Sequence, residues 1–421
     1  IRSIDEGRGQ FDYIIAHGVH SWVAPDVQDA ILRICGRQLS ERGVALVSYN
    51  AYPGCHLRQM VRGMGQFHVR DIDDPAEQVT QLHALVRFLV ESLGDDYKVY
   101  REVLQNESER LAKLSEPFIL HDVLEETNHP VYFYQFVEQA ARHGLQYLTE
   151  ALPLGRHRAT IAPELHEELR RNYDPIEYEQ HLDFLDGTAF RRTLVCRQSN
   201  RLLRDLQSAP LERLLVASQA GPVSSAPDLH GDRPEEFAAR KGQMAAAVRC
   251  DRPIAKAAMM ILNEAYPKAV PLAAVFQAAA NRLGRSRTAE DEREIREVIL
   301  GGFAVGAIEL HCWQPHLTDR VSECPEASAV ARHEVAQGWD ATTLWHERLI
   351  LNNAISRQLL STLDGQHDRQ AVVEHLISAI LADQSLSAGG AGHSTSEVRA
   401  EVDKEIDAAL RDLARSGVLI G

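Results

Sequence analysis

Residues able to do chemistry follow two apolar segments near the start of the chain, over residues 11–17 and 44–48. In chain order they are His17, Gly18, His20, Trp22, Tyr49, Asn50 and Tyr52. Imidazole and amide groups accept hydrogen bonds or protons, and a glycine lets the backbone approach a ligand closely. These residue types predict a ligand-binding crevice at the ends of the two segments.

The elements that position these residues are predicted to form a β-α-β unit. Pro25 opens a helix between the two strands, where its missing N–H costs nothing, and Ala30 and Ile31 lie on its apolar face. This order implies a right-handed crossover in a parallel sheet, with a crevice at the carboxyl ends of the strands. The structural alternatives are a turn glycine at 18, a capped histidine at 17, and packing roles for Trp22 and Tyr52.

The remaining pattern predicts an interrupted α/β domain followed by two helical modules. A helix over residues 132–143 and strands near Leu145 and Thr193 are expected to complete the sheet. Three helical stretches and a short strand in residues 253–313 outline a winged-helix-like module. The predicted regions are 1–56 (α/β domain), 57–131 (helical insertion), 132–198 (closing helix and strands), 199–335 (first module) and 336–421 (second module).

Composition argues against several classes of function. No apolar run in the 421 residues approaches the roughly 20 residues that span a bilayer. The net charge of −15 disfavours nucleic-acid binding, because phosphate contacts need a basic face. Six scattered cysteines indicate reduced thiols in a cytoplasmic protein. His311, Cys312 and His316 lack the fourth ligand that zinc normally requires, so we expect no metal.

Several segments together resemble one bacterial family. These segments are residues 11–23, 43–54, 121–125, 130–136, 143–151, 182–185 and 194–196. They resemble the S-adenosylmethionine-dependent methyltransferases that carry a methyltransferase regulatory domain. That group includes the rickettsial-type protein lysine methyltransferases acting on outer-membrane proteins. The C-terminal half of the chain resembles the winged-helix region of the same family more weakly.

The resemblance implies a fold of the α/β plus mostly-α class. It would be the C-terminal half of a class I, Rossmann-like methyltransferase sheet with a helical insertion, followed by two winged-helix-like helical modules. The two opening strands would correspond to the fourth and fifth of seven. The Gly-rich turn and the acidic residue that hold S-adenosylmethionine would lie upstream of Ile1. We therefore expect a fragment that binds this cofactor poorly.

The resemblance also implies roles for the residues at the strand ends. His17 and Gly18 would contact the methionine end of the cofactor. Transfer of a methyl group to an amine needs alignment and a deprotonated acceptor. The candidate catalytic residues are Tyr49, Asn50 and His20. Trp22 and Tyr52 would lie close to the substrate, as aromatic walls around a lysine stem.

Three functions are open at this point. The first is a methyltransferase acting on protein lysines, active when the upstream residues are present, with a protein substrate and a homodimeric state implied by the family. The second is a noncatalytic interaction scaffold derived from such an enzyme. The third, a DNA-binding regulator using residues 200–421, is disfavoured by the acidic composition. An upstream strand, Gly-x-Gly turn and acidic residue about 20 positions later would favour the enzyme.

Overall fold

Two parallel strands joined by a helix begin the first of the two units of the chain, residues 1–204 and 205–421. The computed structural model describes residues 9–151, 161–204, 207–241, 244–382 and 395–421. Strand β1 (Phe11–Ala16) leads through helix α1 (Pro25–Gln38) to strand β2 (Leu39–Tyr52), and the strands pair in parallel. The predicted β-α-β unit is therefore confirmed. Strand β2 is longer than predicted, because Leu39 leaves the helix in an extended conformation and pairs with Phe11.

A helical segment follows β2 and packs around its own apolar core. Its helices are α2 (Cys55–Val69), α3 (Pro75–Ser92), α4 (Lys98–Leu111) and α5 (Glu116–Ile119), the last continuing as a π-helical turn over Leu120–Leu124. The buried core residues are Val61, Val79, Leu82, Val86, Leu104, Leu111, Ile119 and Val123. The i, i+3 and i+7 spacing of Val79, Leu82 and Val86 explains why one face of α3 is buried.

The chain then returns to the sheet and completes it. The elements are β3 (Val131–Tyr132), α6 (Phe133–Ala141), β4 (Leu145–Glu150), α7 (Pro163–Asn172), α8 (Pro175–Asp186) and β5 (Phe190–Arg197). The strand order is β1-β2-β5-β4, with β5 antiparallel to both of its neighbours, and β3 extends the end of β2 in parallel. The predicted strands near Leu145 and Thr193 are therefore confirmed.

The two faces of this sheet differ in burial. Ala45, Val47 and Tyr49 of β2 are buried in one core with residues of α1 and α6. On β1 the alternate residues Phe11, Tyr13 and Ile15 are exposed by 41, 79 and 71%. Because successive side chains of a strand point to opposite faces, β1 presents an apolar row on the face away from this core.

The second unit contains two helical modules, each with its own core. The first comprises β6 (Leu215–Ala217), β7 (Gly221–Pro222), β8 (Glu235–Lys241), β9 (Met244–Cys250), α9 (Pro253–Ala265), β10 (Val270–Pro271), α10 (Leu272–Arg282), α11 (Ala289–Val305) and β11 (Glu309–His311). Three helices beside the small sheet β10-β6-β11 give the predicted winged-helix-like outline. The strands β7-β8-β9 form a separate antiparallel sheet that was not predicted.

The second module packs helices around a short hairpin. Its elements are α12 (Ala329–Ala336), β12 (Ala341–Thr342), β13 (Arg348–Leu349), α13 (Ala354–Thr362), α14 (Arg369–Ala382) and α15 (Thr395–Arg415). Val398, Val402 and Ile406 of α15 are buried in its core, as their helical spacing predicts. None of the described helices has the length and apolar character that crossing a membrane requires.

Candidate functional site

The carboxyl end of β1 lies beside the middle of β2 and is open to solvent. His17 and Gly18 are both exposed. The Gly18 N–H donates to Ser48 Oγ at 2.8 Å, which fixes the turn against β2. Gly18 has a φ of +68°, and no atom lies within 4 Å of the position that a Cβ would occupy. The turn therefore favours glycine for its left-handed backbone, and it leaves free space above it.

His20 lies beneath this turn, in the core. It is 0% exposed, and its ring lies 5.9 Å from that of Tyr49 and 5.6 Å from that of Phe136. Neither ring nitrogen has a hydrogen-bond partner among the described residues. Burial lowers the pKa of His20 to about 4, so the ring is neutral at physiological pH. In this structure His20 has no access to a substrate.

Tyr49 lies in the same buried layer. It is 1% exposed, and its ring stacks on Phe136 at 4.3 Å. Its hydroxyl lies 3.1 Å from Thr193 Oγ1, and the Thr193 hydroxyl donates to Glu150 Oε1 at 2.8 Å. Burial raises the pKa of Tyr49 well above its ordinary value, so the phenol stays protonated. The candidate catalytic residues Tyr49 and His20 therefore support the site from below.

Arg191, which the sequence reasoning missed, completes this buried polar layer. Its Nε and Nη2 donate to the two oxygens of Asp183 at 2.8 and 3.0 Å, and its Nη1 donates to Glu150 Oε1 at 2.8 Å. The guanidinium lies 3.8 Å from the ring centroid of Phe133. Helix α8 supplies Asp183; Asp174 caps its start, and Gly187 ends it in the left-handed conformation.

Asn50 and Trp22 meet at a small cleft between the end of β2, helix α2 and the π-helical turn. Asn50 N–H donates to Ser21 Oγ at 2.8 Å, and Asn50 Nδ2 donates to Asn128 Oδ1 at 3.0 Å. Asn50 Oδ1 has no hydrogen-bond partner within the described part of the chain. Trp22 stacks against His121 at 4.4 Å, and both Trp22 and Asn50 line the cleft.

Tyr52 belongs to a neighbouring aromatic surface. Its ring stacks on His56 at 4.1 Å and lies 5.3 Å from that of Tyr132. His56 Nε2 and the Tyr132 hydroxyl are 3.0 Å apart. Tyr134 and Phe184 continue the surface at 5.8 and 6.2 Å from Tyr132. The four aromatic residues within 132–136 thus lie in two environments: Phe133 and Phe136 are buried in the core, whereas Tyr132 and Tyr134 reach solvent.

The histidine and cysteine cluster near residue 311 has structural partners. His311 stacks on Trp345 at 4.0 Å, and its Nε2 lies 3.1 Å from Glu309 Oε2. Within the described ranges, no three His, Cys, Asp or Glu residues are placed so that they could hold a metal ion.

Two parts of the chain match family models. Residues 115–197 match a family described as a predicted methyltransferase regulatory domain. Residues 323–418 match the C-terminal winged helix domain of PKMT, which confirms the prediction of a winged-helix fold for the second module. These two matches support a relationship to the methyltransferase family.

Two proteins of Rickettsia prowazekii are similar in sequence to this chain. RP789 of Rickettsia prowazekii (strain Madrid E) is 27% identical over 413 residues, which cover 97% of this chain and 74% of RP789. RP028 of the same organism is 34% identical over 148 residues, 35% of this chain and 59% of its own length.

Solved structures of PKMT2 from Rickettsia typhi share the fold. One has a TM-score of 0.85 at 24% identity and covers 100% of this chain and 82% of its own. A second, of PKMT2 in complex with AdoHcy, has a TM-score of 0.84 and covers 100% and 83%. The mixed α/β fold with a C-terminal winged helix is thereby established. The prediction that a cofactor-binding half is missing from this chain is left unconfirmed by these matches.

Proposed function

We propose that this chain carries the acceptor side of an S-adenosylmethionine-dependent methyltransferase that modifies lysine side chains of proteins. The observation that carries the proposal is the parallel pairing of β1 with β2, which brings the exposed turn at His17 and Gly18 beside Ser48 and the following Ser21 beside Asn50. Ligands of open α/β sheets bind at such carboxyl ends. The fold shared with PKMT2, which has been solved with AdoHcy, supports the same assignment.

His17 and Gly18 are the residues that would contact the methionine end of S-adenosylmethionine. The free space above Gly18 fits a ligand that lies against the backbone of the turn. When bound, S-adenosylmethionine supplies the methyl group. The turn itself would position the cofactor. Ser48 Oγ accepts a hydrogen bond from the Gly18 N–H and holds the turn in place, and the glycine at its left-handed backbone leaves no side chain in the way.

The acceptor lysine would reach the site along Tyr52, His56 and Tyr132. Aromatic rings pack against the methylene stem of a lysine and exclude water from around its head. Removal from water disfavours the charged ammonium, and the neutral amine is the form that accepts a methyl group. Asn50 Oδ1 is placed to accept a hydrogen bond from that amine and orient it. In this proposal His20 and Tyr49 are positioning residues beneath the acceptor side.

The other end of S-adenosylmethionine would be held by further strands added to the edge of β1. This finer proposal rests on two observations. Strand β1 lies at the edge of the described sheet, where a further strand could pair with it, and the helices connecting such strands would cover the exposed apolar row of Phe11, Tyr13 and Ile15. We therefore expect this chain alone to bind AdoHcy weakly in a calorimetric titration. Tight one-to-one binding would contradict the proposal for the edge.

Methyl transfer is tested with tritiated S-adenosylmethionine and total host protein, using the protein as its host produces it. We expect acid-stable label that co-chromatographs with methyl-lysine after hydrolysis. Tyr52→Leu should lower kcat/KM about tenfold through loss of the aromatic contact, whereas Tyr97→Leu, at an exposed residue outside the site, should not. Label on another residue type would refute the lysine assignment, and no transfer would favour the noncatalytic scaffold.

A further inference from the structure

The cleft beside Asn50 is lined by basic side chains that the proposed methyl transfer does not use. Arg58 and Arg62 of α2 and Arg110 of α4 face it, together with Asp122 and Trp22. Its volume is about 30 Å³, which is room for two water-sized groups. A cleft of this size and composition fits a small anionic head group.

Arg62 is the least satisfied of these side chains. It is 5% exposed, yet its one hydrogen bond is a long one, from Nη1 to the Asp122 carbonyl oxygen at 3.3 Å. Its Nη2 is buried without a hydrogen-bond partner in the part of the chain that the structure describes. Its guanidinium also lies 6.0 Å from the centroid of the Trp22 ring, a cation–π contact, but that contact gives Nη2 no acceptor, and a buried guanidinium is usually paired with a carboxylate. The orphaned nitrogen therefore indicates a ligand that binds here.

The side chains around the cleft carry an excess of positive charge that one negative group would balance. Arg110 is paired with Glu107 at 2.8 Å. Arg58 is exposed and makes no ion pair within the described ranges. Asp122 is the one carboxylate among the lining residues. Among the described residues neither Arg58 nor Arg62 forms an ion pair within 4 Å, and Glu125 and Asp122 act on Arg62 only over a longer distance. An incoming carboxylate would balance this excess.

We propose that the cleft formed by Trp22, Arg58 and Arg62 binds the carboxylate of an acidic residue in the protein substrate. A carboxylate has two oxygens in the planar arrangement that a guanidinium fork matches, and two such oxygens fit the volume. Asn50 lines this cleft and lies two residues from Tyr52, so the acidic residue would be a near neighbour of the acceptor lysine. This identification of the ligand as substrate rests on the proposed function; the carboxylate site itself does not.

The site is tested by ¹⁹F NMR of the chain labelled with 5-fluorotryptophan. Trp22 is the one tryptophan in residues 1–204, and the others are Trp313, Trp339 and Trp345. The probes are N-acetyl-glutamate amide and its neutral counterpart N-acetyl-glutamine amide, at constant ionic strength. We expect the glutamate compound to move the Trp22 signal saturably, and the glutamine compound to bind at least about tenfold more weakly.

Variants separate the cleft from general charge effects. Arg62→Met should abolish the shift, and Arg58→Gln, at an exposed position where folding is not at risk, should weaken binding about threefold or more. Arg101→Gln, which removes an arginine outside the cleft, should leave binding unchanged. An immobile Trp22 signal, equal response to both probes, or saturation by inorganic phosphate but not by glutamate would overturn the proposal.

This binding measurement needs neither S-adenosylmethionine nor turnover. Failure of methyl transfer with an intact carboxylate site would therefore refute the proposed function alone. If methyl transfer is observed but the glutamate compound does not bind, only the inference of a carboxylate site is refuted.

Discussion

Arg62 and Arg191 are both almost fully buried in the same unit, yet their surroundings differ. Arg191 donates to the carboxylates of Asp183 and Glu150 at 2.8 to 3.0 Å, and its Nη2 also donates to the carbonyl and the carboxylate of Glu179 at 3.1 and 3.3 Å. Among the described residues, Arg62 has one long hydrogen bond and no partner for its Nη2. The comparison shows that burial alone does not separate scaffold from binding site. The state of the hydrogen bonds does, because a scaffold must satisfy its own charges whereas a binding site leaves a group for the ligand.

The largest effect is expected at Arg191. Arg191→Met leaves the Asp183 and Glu150 carboxylates buried without their partner, which should cost about 3–5 kcal/mol of the unfolding free energy. The measurement is urea unfolding followed by the ¹⁹F signal of Trp22 in the chain labelled with 5-fluorotryptophan, which reports on the first unit because the other three tryptophans lie in the second. Arg192→Met is the matched control: among the described residues the Arg192 side chain has a distant contact with the Phe190 ring at 5.9 Å and no hydrogen bond, and its backbone bonds to Glu150 and Ala151 are kept in the variant. Equal losses of unfolding free energy in both variants would show that Arg191 is not a scaffold residue.

A smaller effect is expected from the titration of His20. Its pKa of about 4 in the folded chain lies below the ordinary 6.5, because burial disfavours the charged ring. Stability from this group is therefore complete above pH 6.5 and lost as the pH falls towards 4. Between pH 7 and pH 5 the wild type should lose about 2 kcal/mol relative to His20→Leu. A constant difference between the two proteins across this range would show that His20 is solvated.

The hydroxyl of Tyr49 should contribute less. Tyr49→Phe removes its hydrogen bond to Thr193 and keeps the stack on Phe136, so we expect a loss of about 1 kcal/mol in urea unfolding. Methyl transfer should fall no more than a few-fold, because the phenol is buried beneath the site. A loss of about a hundredfold in kcat with an intact fold would instead make Tyr49 catalytic.

The smallest change in stability is expected at Arg62. Arg62→Met removes a buried charge that forms no ion pair within 4 Å in the described part of the chain, so unfolding in urea should change by no more than about 1 kcal/mol, in either direction. A loss as large as that of Arg191→Met would show that Arg62 is a scaffold residue.

The sequence alone predicts the β-α-β unit and the strands that close the sheet. The apolar runs, Pro25 and the helical spacing after it are local signals, and local signals decide these elements. The two faces of β2 are harder to distinguish. Apolar residues occupy both faces, with Ala45 and Val47 on one and Val44 and Leu46 on the other. The alternation of polar and apolar residues therefore does not reveal that Tyr49 points into the core and Asn50 to the cleft.

The sequence does not predict the roles of the buried arginines, for a different reason. Arg191 and Arg192 are adjacent and chemically identical, and the partners that select Arg191 lie 8 and 41 residues away. Arg62 is one of several polar residues on an amphipathic helix. Their environments depend on contacts between elements distant in the sequence, which a pattern within one element does not carry.

The most direct test of the account is a crystal structure of the protein, as its host produces it, with AdoHcy bound. The account predicts that the homocysteine sulfur lies against the turn at His17 and Gly18, with its open side towards Asn50 and Tyr52. AdoHcy bound away from the carboxyl ends of β1 and β2, or with its sulfur facing a different surface, would contradict it.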